Sequence, residues 1–219
     1  MKRLTLLLIA LLPLALSAQD SDLGNWIIYF GNKQINSSWN WHHEIQYRNY
    51  NAIGDLEQLL IRTGIGYNLS ENNNNVLLGY GYILSENYLE DGEEKVSINE
   101  HRIYQQFITK QTILNAKLQH RYRFEQRWVE GDFKMRFRYF LGINLPLSRK
   151  EITDKTLYAS AYNEIFLNTE SGKVFDRNRL YGGLGYRFSK TVRVEAGYMN
   201  QFFNTGGRDQ INLVTFVNF

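Results

Sequence analysis

The sequence predicts an all-β fold: a closed antiparallel transmembrane barrel of up-and-down topology, with about ten strands and twelve as the upper count. Three observations carry this. Long stretches alternate between apolar and polar residues, and a period of two puts each set on one face of a strand. Aromatic residues make up 15% of the 219 residues while mean hydropathy is only −0.42, as expected of half-apolar strands and not of a helical membrane bundle. The chain also closes on Ile211, Leu213, Thr215, Val217 and Phe219, all on one face of a last strand.

The first element is not part of the barrel. Lys2 and Arg3 precede an apolar run, Leu4 to Leu16, that ends in Ser17-Ala18; this is the order of a secretory signal peptide. Residues 1–18 are expected to be cleaved on export, the run being short for a membrane-spanning helix. Without Lys2 and Arg3 the 25 basic residues fall to 23 against 22 acidic ones. A net charge of +1 gives no reason to expect nucleic acid as a partner. With no cysteine, the exported chain has no disulfide, no thiolate chemistry and no lipoprotein-type acylation site. Pro146 is the one proline left after cleavage, which suits a sheet that cannot spare ladder donors.

Leu23 to Phe30 is apolar but alternates poorly, so residues 19–37 are expected to form a periplasmic or lumenal segment outside the wall, with the barrel spanning 38–219. From Ser38 the alternation is clear. Trp39, Trp41, His43, Ile45 and Tyr47 oppose Asn40, His42, Glu44, Gln46 and Arg48. Leu59 to Leu69 follows, then a polar turn at Glu71 to Asn75, then Leu78, Tyr80, Tyr82 and Leu84. An acidic loop, Glu90-Asp91-Gly92-Glu93-Glu94, leads to the weakest strand, Ile98 to Lys110.

The strongest element is the hairpin Leu114 to Leu145. Leu118, Tyr122, Phe124, Trp128, Phe133, Phe137, Tyr139 and Leu141 take one face; Arg121, Arg123, Glu125, Arg127, Lys134, Arg136 and Arg138 take the other. Strands this long are unusual in a soluble sheet, whereas a bilayer crossing needs roughly 9–11 tilted residues plus its ends. Three more strands follow, around 157–168, 179–188 and 192–202, before the last one. Ten wall strands are preferred because single-chain bacterial barrels have even numbers.

The last strand resembles the C-terminus of bacterial outer-membrane barrels. There, alternating apolar residues ending in phenylalanine are recognised by the insertion machinery, which the resemblance makes an expected partner beside outer-membrane lipid. Leu23-Gly24-Asn25-Trp26, the Trp39/Trp41 strand with Glu44 and Arg48, and Arg62-x-Gly64-x-Gly66-Tyr67 resemble an uncharacterised bacterial family, the domain of unknown function twenty-four-ninety. That resemblance implies a small barrel in the outer membrane of a Gram-negative cell and supplies no catalytic residues.

The lumenal parity carries thirteen bases against five acids. The cationic cluster is Arg121, Arg123, Arg127, Lys134, Arg136 and Arg138; the counter-charges include Glu44, Glu125, Glu164 and Glu195. The preferred reading is a lumen filled by Arg–Glu networks, since a small barrel leaves little room for a channel. The alternative is a narrow pore for small anionic solutes, because a confined lining focuses its field. A barrel-sited lipid or peptide hydrolase is a third reading. It rests on His42 beside Glu44, the best acid–base pair available, while no serine has a nucleophile's setting. His43 and His120 fall on the outer parity. No metal or cofactor is expected: His42 and His43 point to opposite faces, and the acidic loop lacks the ligand spacing of calcium loops. Paired glycines such as Gly79/Gly81 and Gly183/Gly185 are expected to make room for arginines or for strand coiling. Trp26, Trp39, Trp41 and Trp128 are read as an interfacial girdle.

Overall fold

Alternation becomes a wall in a computed structural model that describes residues 23–219 apart from 52, 71, 72, 90, 91, 93 and 171. The expected signal peptide, two residues of the first polar turn and most of the acidic loop lie outside the described residues. Eleven strands are present among the described ones: β1 (Gly24–Gln34), β2 (Trp39–Asn49), β3 (Leu56–Ser70), β4 (Asn74–Tyr88), β5 (Lys95–Ile113), β6 (Ala116–Val129), β7 (Asp132–Pro146), β8 (Thr156–Asn168), β9 (Phe175–Arg187), β10 (Val192–Phe203) and β11 (Gly206–Asn218). Sequential neighbours pair antiparallel, and the sheet closes on itself as a barrel. The β6–β7 turn shows why the hairpin is tight. Glu130 and Gly131 have φ of 49° and 94°, the two positive values that a two-residue type I′ turn requires.

An odd number of strands forces one parallel contact at closure. β1 supplies it, running parallel to β11 from Gly24↔Gln210 to Asn32↔Asn218 and antiparallel to β2. Eleven strands fit the expected count of about ten with twelve as the upper limit, and β1 brings residues 24–34, expected outside the wall, into it. Its residues hid the strand because both of its faces are apolar. Trp26 and Ile28 turn inward and are buried, while Ile27 between them is exposed, so no period of two is visible.

The barrel has two dissimilar ends. The proximal end carries Phe219 and the ends of β1, β3, β5, β7 and β9. The distal end carries the start of β1 and the ends of β2, β4, β6, β8 and β10. The sidedness read from the hairpin holds: Phe137 is 37% exposed while Arg136 and Arg138 are 3% and 4% exposed. Ile211, Leu213, Val217 and Phe219 lie on the outer face of β11, as Thr215 does by parity, and Val214 and Phe216 face in. Inside, a cluster of Trp26, Ile28, Tyr181, Met199 and Val214 occupies the arc formed by β1 and β9–β11. Most of the buried charges lie on β2 to β8, with Arg179 and Glu195 on β9 and β10 beside the cluster.

Candidate functional site

The cations of the β6–β7 hairpin find their partners on other strands. Glu125 is the hub. It accepts hydrogen bonds from Arg136 and Arg138, each at 2.7 Å, and lies within 4 Å of Arg102 and Arg123. Arg138 also reaches Glu164 at 2.7 Å, where Arg121 joins it at 2.7 Å. Toward the distal end, Glu100 holds Arg102 and Arg127, and Asp176 takes Arg136 at 2.8 Å. Toward the proximal end, Glu44 pairs with Arg62 at 2.8 Å, and Glu195 accepts from Tyr158 and Ser160 with Arg193 3.5 Å away. Removing a charge from water is costly unless it is paired and hydrogen-bonded, and this lattice meets that condition for most of the cluster.

Rings and amides take up the remaining cations. Arg48 has no carboxylate within ion-pair distance among the described residues. It donates to Gln46 and Gln58 and lies 3.7 Å from the centre of the Trp26 ring. Arg179 approaches the same ring at 4.7 Å. The buried Phe166 is ringed by Arg138, Arg179, Arg136 and Arg177 at 4.3 to 5.9 Å. The negative face of an aromatic ring attracts a guanidinium, and more strongly where water is excluded. This arrangement accommodates more arginines than carboxylates.

The predicted residues sort as follows. Arg121, Arg123, Arg127, Arg136 and Arg138 are brought together, with Glu125 and Glu164 among them, whereas Glu44 pairs with Arg62. Glu195 stands apart, with Tyr158 and Ser160. Lys134 is not in the cluster: it has the inward parity but sits exposed at the distal rim. Trp26 is not a girdle residue, being 2% exposed inside the lumen, whereas Trp39, Trp41 and Trp128 face outward. The glycines make room chiefly for tyrosines. A Cβ on Gly79 would meet the Tyr104 ring at 2.2 Å, and one on Gly185 would meet Tyr158 at 2.2 Å; only Gly81 lies under an arginine, Arg62.

The histidines divide by face. His42 lies 3.6 Å from Oε2 of Glu44, whose other oxygen, Oε1, accepts from both Arg62 and Gln46. His43, His101 and His120 are outside the lumen, each bonded to a tyrosine hydroxyl: Tyr29, Tyr80 and Tyr139. Ser160 donates to Glu195. Sequence reasoning missed Phe140, Phe166 and Asp176. The first two share the parity of Arg138 and Glu164, so the pattern contained them. Asp176 precedes the strand expected around 179–188, and β9 begins earlier, at Phe175.

The lattice does not fill the whole lumen. A cavity of about 380 Å³ opens toward the proximal end, with Asn32, Asn40, Asn75 and Asn144 toward its mouth, Arg62, Arg123 and Glu44 deeper in, and Trp26, Arg48 and Arg179 also on its wall. The distal residues Glu100, Arg102, Glu125, Arg136 and Phe166 are buried and do not border it. The result is a blind well.

The family described as "Protein of unknown function (DUF2490)" matches residues 23–212, and the chain belongs to it. The chain is also similar to an uncharacterised protein of Methylorubrum extorquens, 31% identical over 170 residues that cover 74% of this chain and 71% of the relative.

Proposed function

We propose that this chain is an integral outer-membrane barrel, exported by a cleaved leader, whose lumen is closed by its own side chains and does not conduct. The observation that carries this reading is the sidedness of charge. Large apolar side chains such as Ile61, Ile65, Leu78, Tyr80, Leu184 and Leu213 are 44% to 60% exposed around the outside, while Glu44, Arg62, Arg123, Glu125, Arg138 and Glu164 are buried inside. Soluble monomers rarely expose contiguous apolar patches beyond a few hundred Å²; a barrel in lipid requires such a belt. Trp39 and Trp41 toward one end and Trp128 toward the other suit its two interfaces. The outward Ile211, Leu213, Thr215, Val217 and Phe219 are available to the insertion machinery as a recognition strand.

Expressed with its leader, the protein is expected in the outer-membrane fraction, with an unboiled gel band that migrates differently from the boiled one. Recovery in the soluble periplasm would sink the reading. In a planar bilayer the purified barrel should be silent. The basic excess on the cavity wall favours a second reading, a narrow anion pore, which stepwise anion-selective currents would establish instead.

A further inference from the structure

Within that reading, which serves here only to name the compartment the well faces, we propose that the proximal well binds a small organic anion: one acidic headgroup on a ring-sized apolar body. The charge argument comes first. Arg48, Arg62, Arg121, Arg123, Arg138, Arg179, Arg193 and Lys110 border the cavity against Glu44, Glu164 and Glu195. Lys110 has no ion-pair partner among the described residues. Deeper in, Nη1 of Arg123 and Nε of Arg62 make no hydrogen bond, although both side chains are at most 5% exposed. A concave, low-dielectric wall with uncompensated positive charge attracts an anion from solution.

The second argument concerns the apolar body. One flank of the well is a stack of Phe140, Tyr162 and Tyr181, with centroids 5.1 and 4.8 Å apart; the other is Phe30 on Phe216 at 5.2 Å. The two partly exposed guanidiniums each lie against one of these platforms: Arg121 is 4.5 Å from the centre of Phe140, and Arg193 is 3.7 Å from that of Phe216. A headgroup held by either arginine therefore carries its own body onto a ring. An inorganic ion would use the charges and waste the rings. The cavity volume of about 380 Å³ lies in the range of small-molecule sites and suits a compact ligand. The asparagine mouth opens at the end that carries Phe219, which in an outer-membrane barrel of this topology faces the periplasm.

The test is calorimetric titration of the refolded barrel in an uncharged detergent with benzoate, acetate and benzyl alcohol. Benzoate should bind saturably at one site and weaken as salt is raised. Acetate and benzyl alcohol should each bind at least about tenfold more weakly, the order expected when one good interaction is lost. Lys110→Gln and Arg193→Gln should each weaken benzoate by about tenfold while leaving the heat-modifiable band unchanged. Equal binding of acetate would overturn the role of the rings, and equal binding of benzyl alcohol the role of the charges. A folded, membrane-extracted barrel that binds none of the three overturns the well and leaves the outer-membrane reading standing. Recovery of a benzoate-binding protein from the soluble fraction would do the reverse.

Discussion

The distal and proximal halves of the lumen are built from the same strands, yet one is solid and the other hollow. On β6, Glu125 and Arg127 lie in the filled half, and Lys117 and Arg121 toward the hollow one. The difference lies in what the arginines are given. Distally, Glu100, Glu125 and Asp176 link Arg102, Arg127 and Arg136 into a lattice, and Phe166 occupies the space between. Proximally, Glu44, Glu164 and Glu195 face a larger set of bases, the lining turns to asparagine and glutamine, and cationic donors remain unused beside empty volume. Carboxylates close a lumen because each one draws two or more guanidiniums into contact. Amides and rings tolerate a cation without drawing its neighbours in.

The severest way to break this contrast is Glu125→Gln. It would leave Arg136 and Arg138, with Arg102 and Arg123 close by, facing one another in a dry interior. Removing one partner of a buried ion pair costs about 3–5 kcal/mol, so the urea midpoint for loss of the heat-modifiable band should fall sharply. Arg193→Gln at the hollow end, where Arg193 is 31% exposed, should move the same midpoint by less than about 1 kcal/mol. Equal effects at the two positions would mean that the filled half is no more dependent on its pairing than the hollow one. An Arg136→Met change combined with Glu125→Leu should recover part of the loss, since an apolar replacement of a buried pair is often neutral or better.

A smaller effect tests the packing between the halves. Tyr104 is 1% exposed and its ring lies where a Cβ on Gly79 would fall, with Arg123 4.4 Å above it. Gly79→Ala should cost about 1–3 kcal/mol by overpacking. The combination with Tyr104→Leu should cost less than the sum of the two single changes, because contacting residues are not additive. Strict additivity would show that the ring does not depend on the glycine for its place.

These residues also show what was legible beforehand. Period-two alternation gives the face of each residue, and so the strands from β2 to β11, the inward arginines, the outward C-terminal residues and the tryptophans at 39, 41 and 128 were readable. Alternation fails where both faces are apolar, which concealed β1 and sent Trp26 to the wrong side. It also cannot say how far along the barrel axis an inward residue lies, so Lys134 counted as part of a cluster that it only borders. Partners across the lumen depend on register and tilt, quantities a strand does not carry in its own residues. Hence Asp176 with Arg136 needed the closed barrel to be seen, and Tyr104 over Gly79 needed the register of β4 on β5.

The mildest perturbation lies at the distal rim, where three links are fastened together. Asp55 accepts hydrogen bonds from Lys95 and from Tyr88 at 3.0 Å; Lys95 and Arg208 lie over the Tyr50 ring, and Arg208 pairs with Glu57 at 2.6 Å. Partial desolvation works to raise the Asp55 carboxyl, but the hydrogen bonds from Lys95 and Tyr88 outweigh it and hold the group below its ordinary value of 3.8. A carboxyl depressed in the folded state stabilises fully above its unfolded value, and that contribution fades as pH falls through the depressed one. Asp55→Asn should therefore cost about 0.2–1 kcal/mol at neutral pH, less in high salt, and nothing below the native value. Comparing the unfolding midpoints of the two proteins from pH 7 downward checks this. A deficit that persisted at the acid end would show that Asp55 acts through the shape of its hydrogen bonds rather than through its charge. The distal closure would then extend to the rim by geometry, and only its buried lattice would depend on carboxylates.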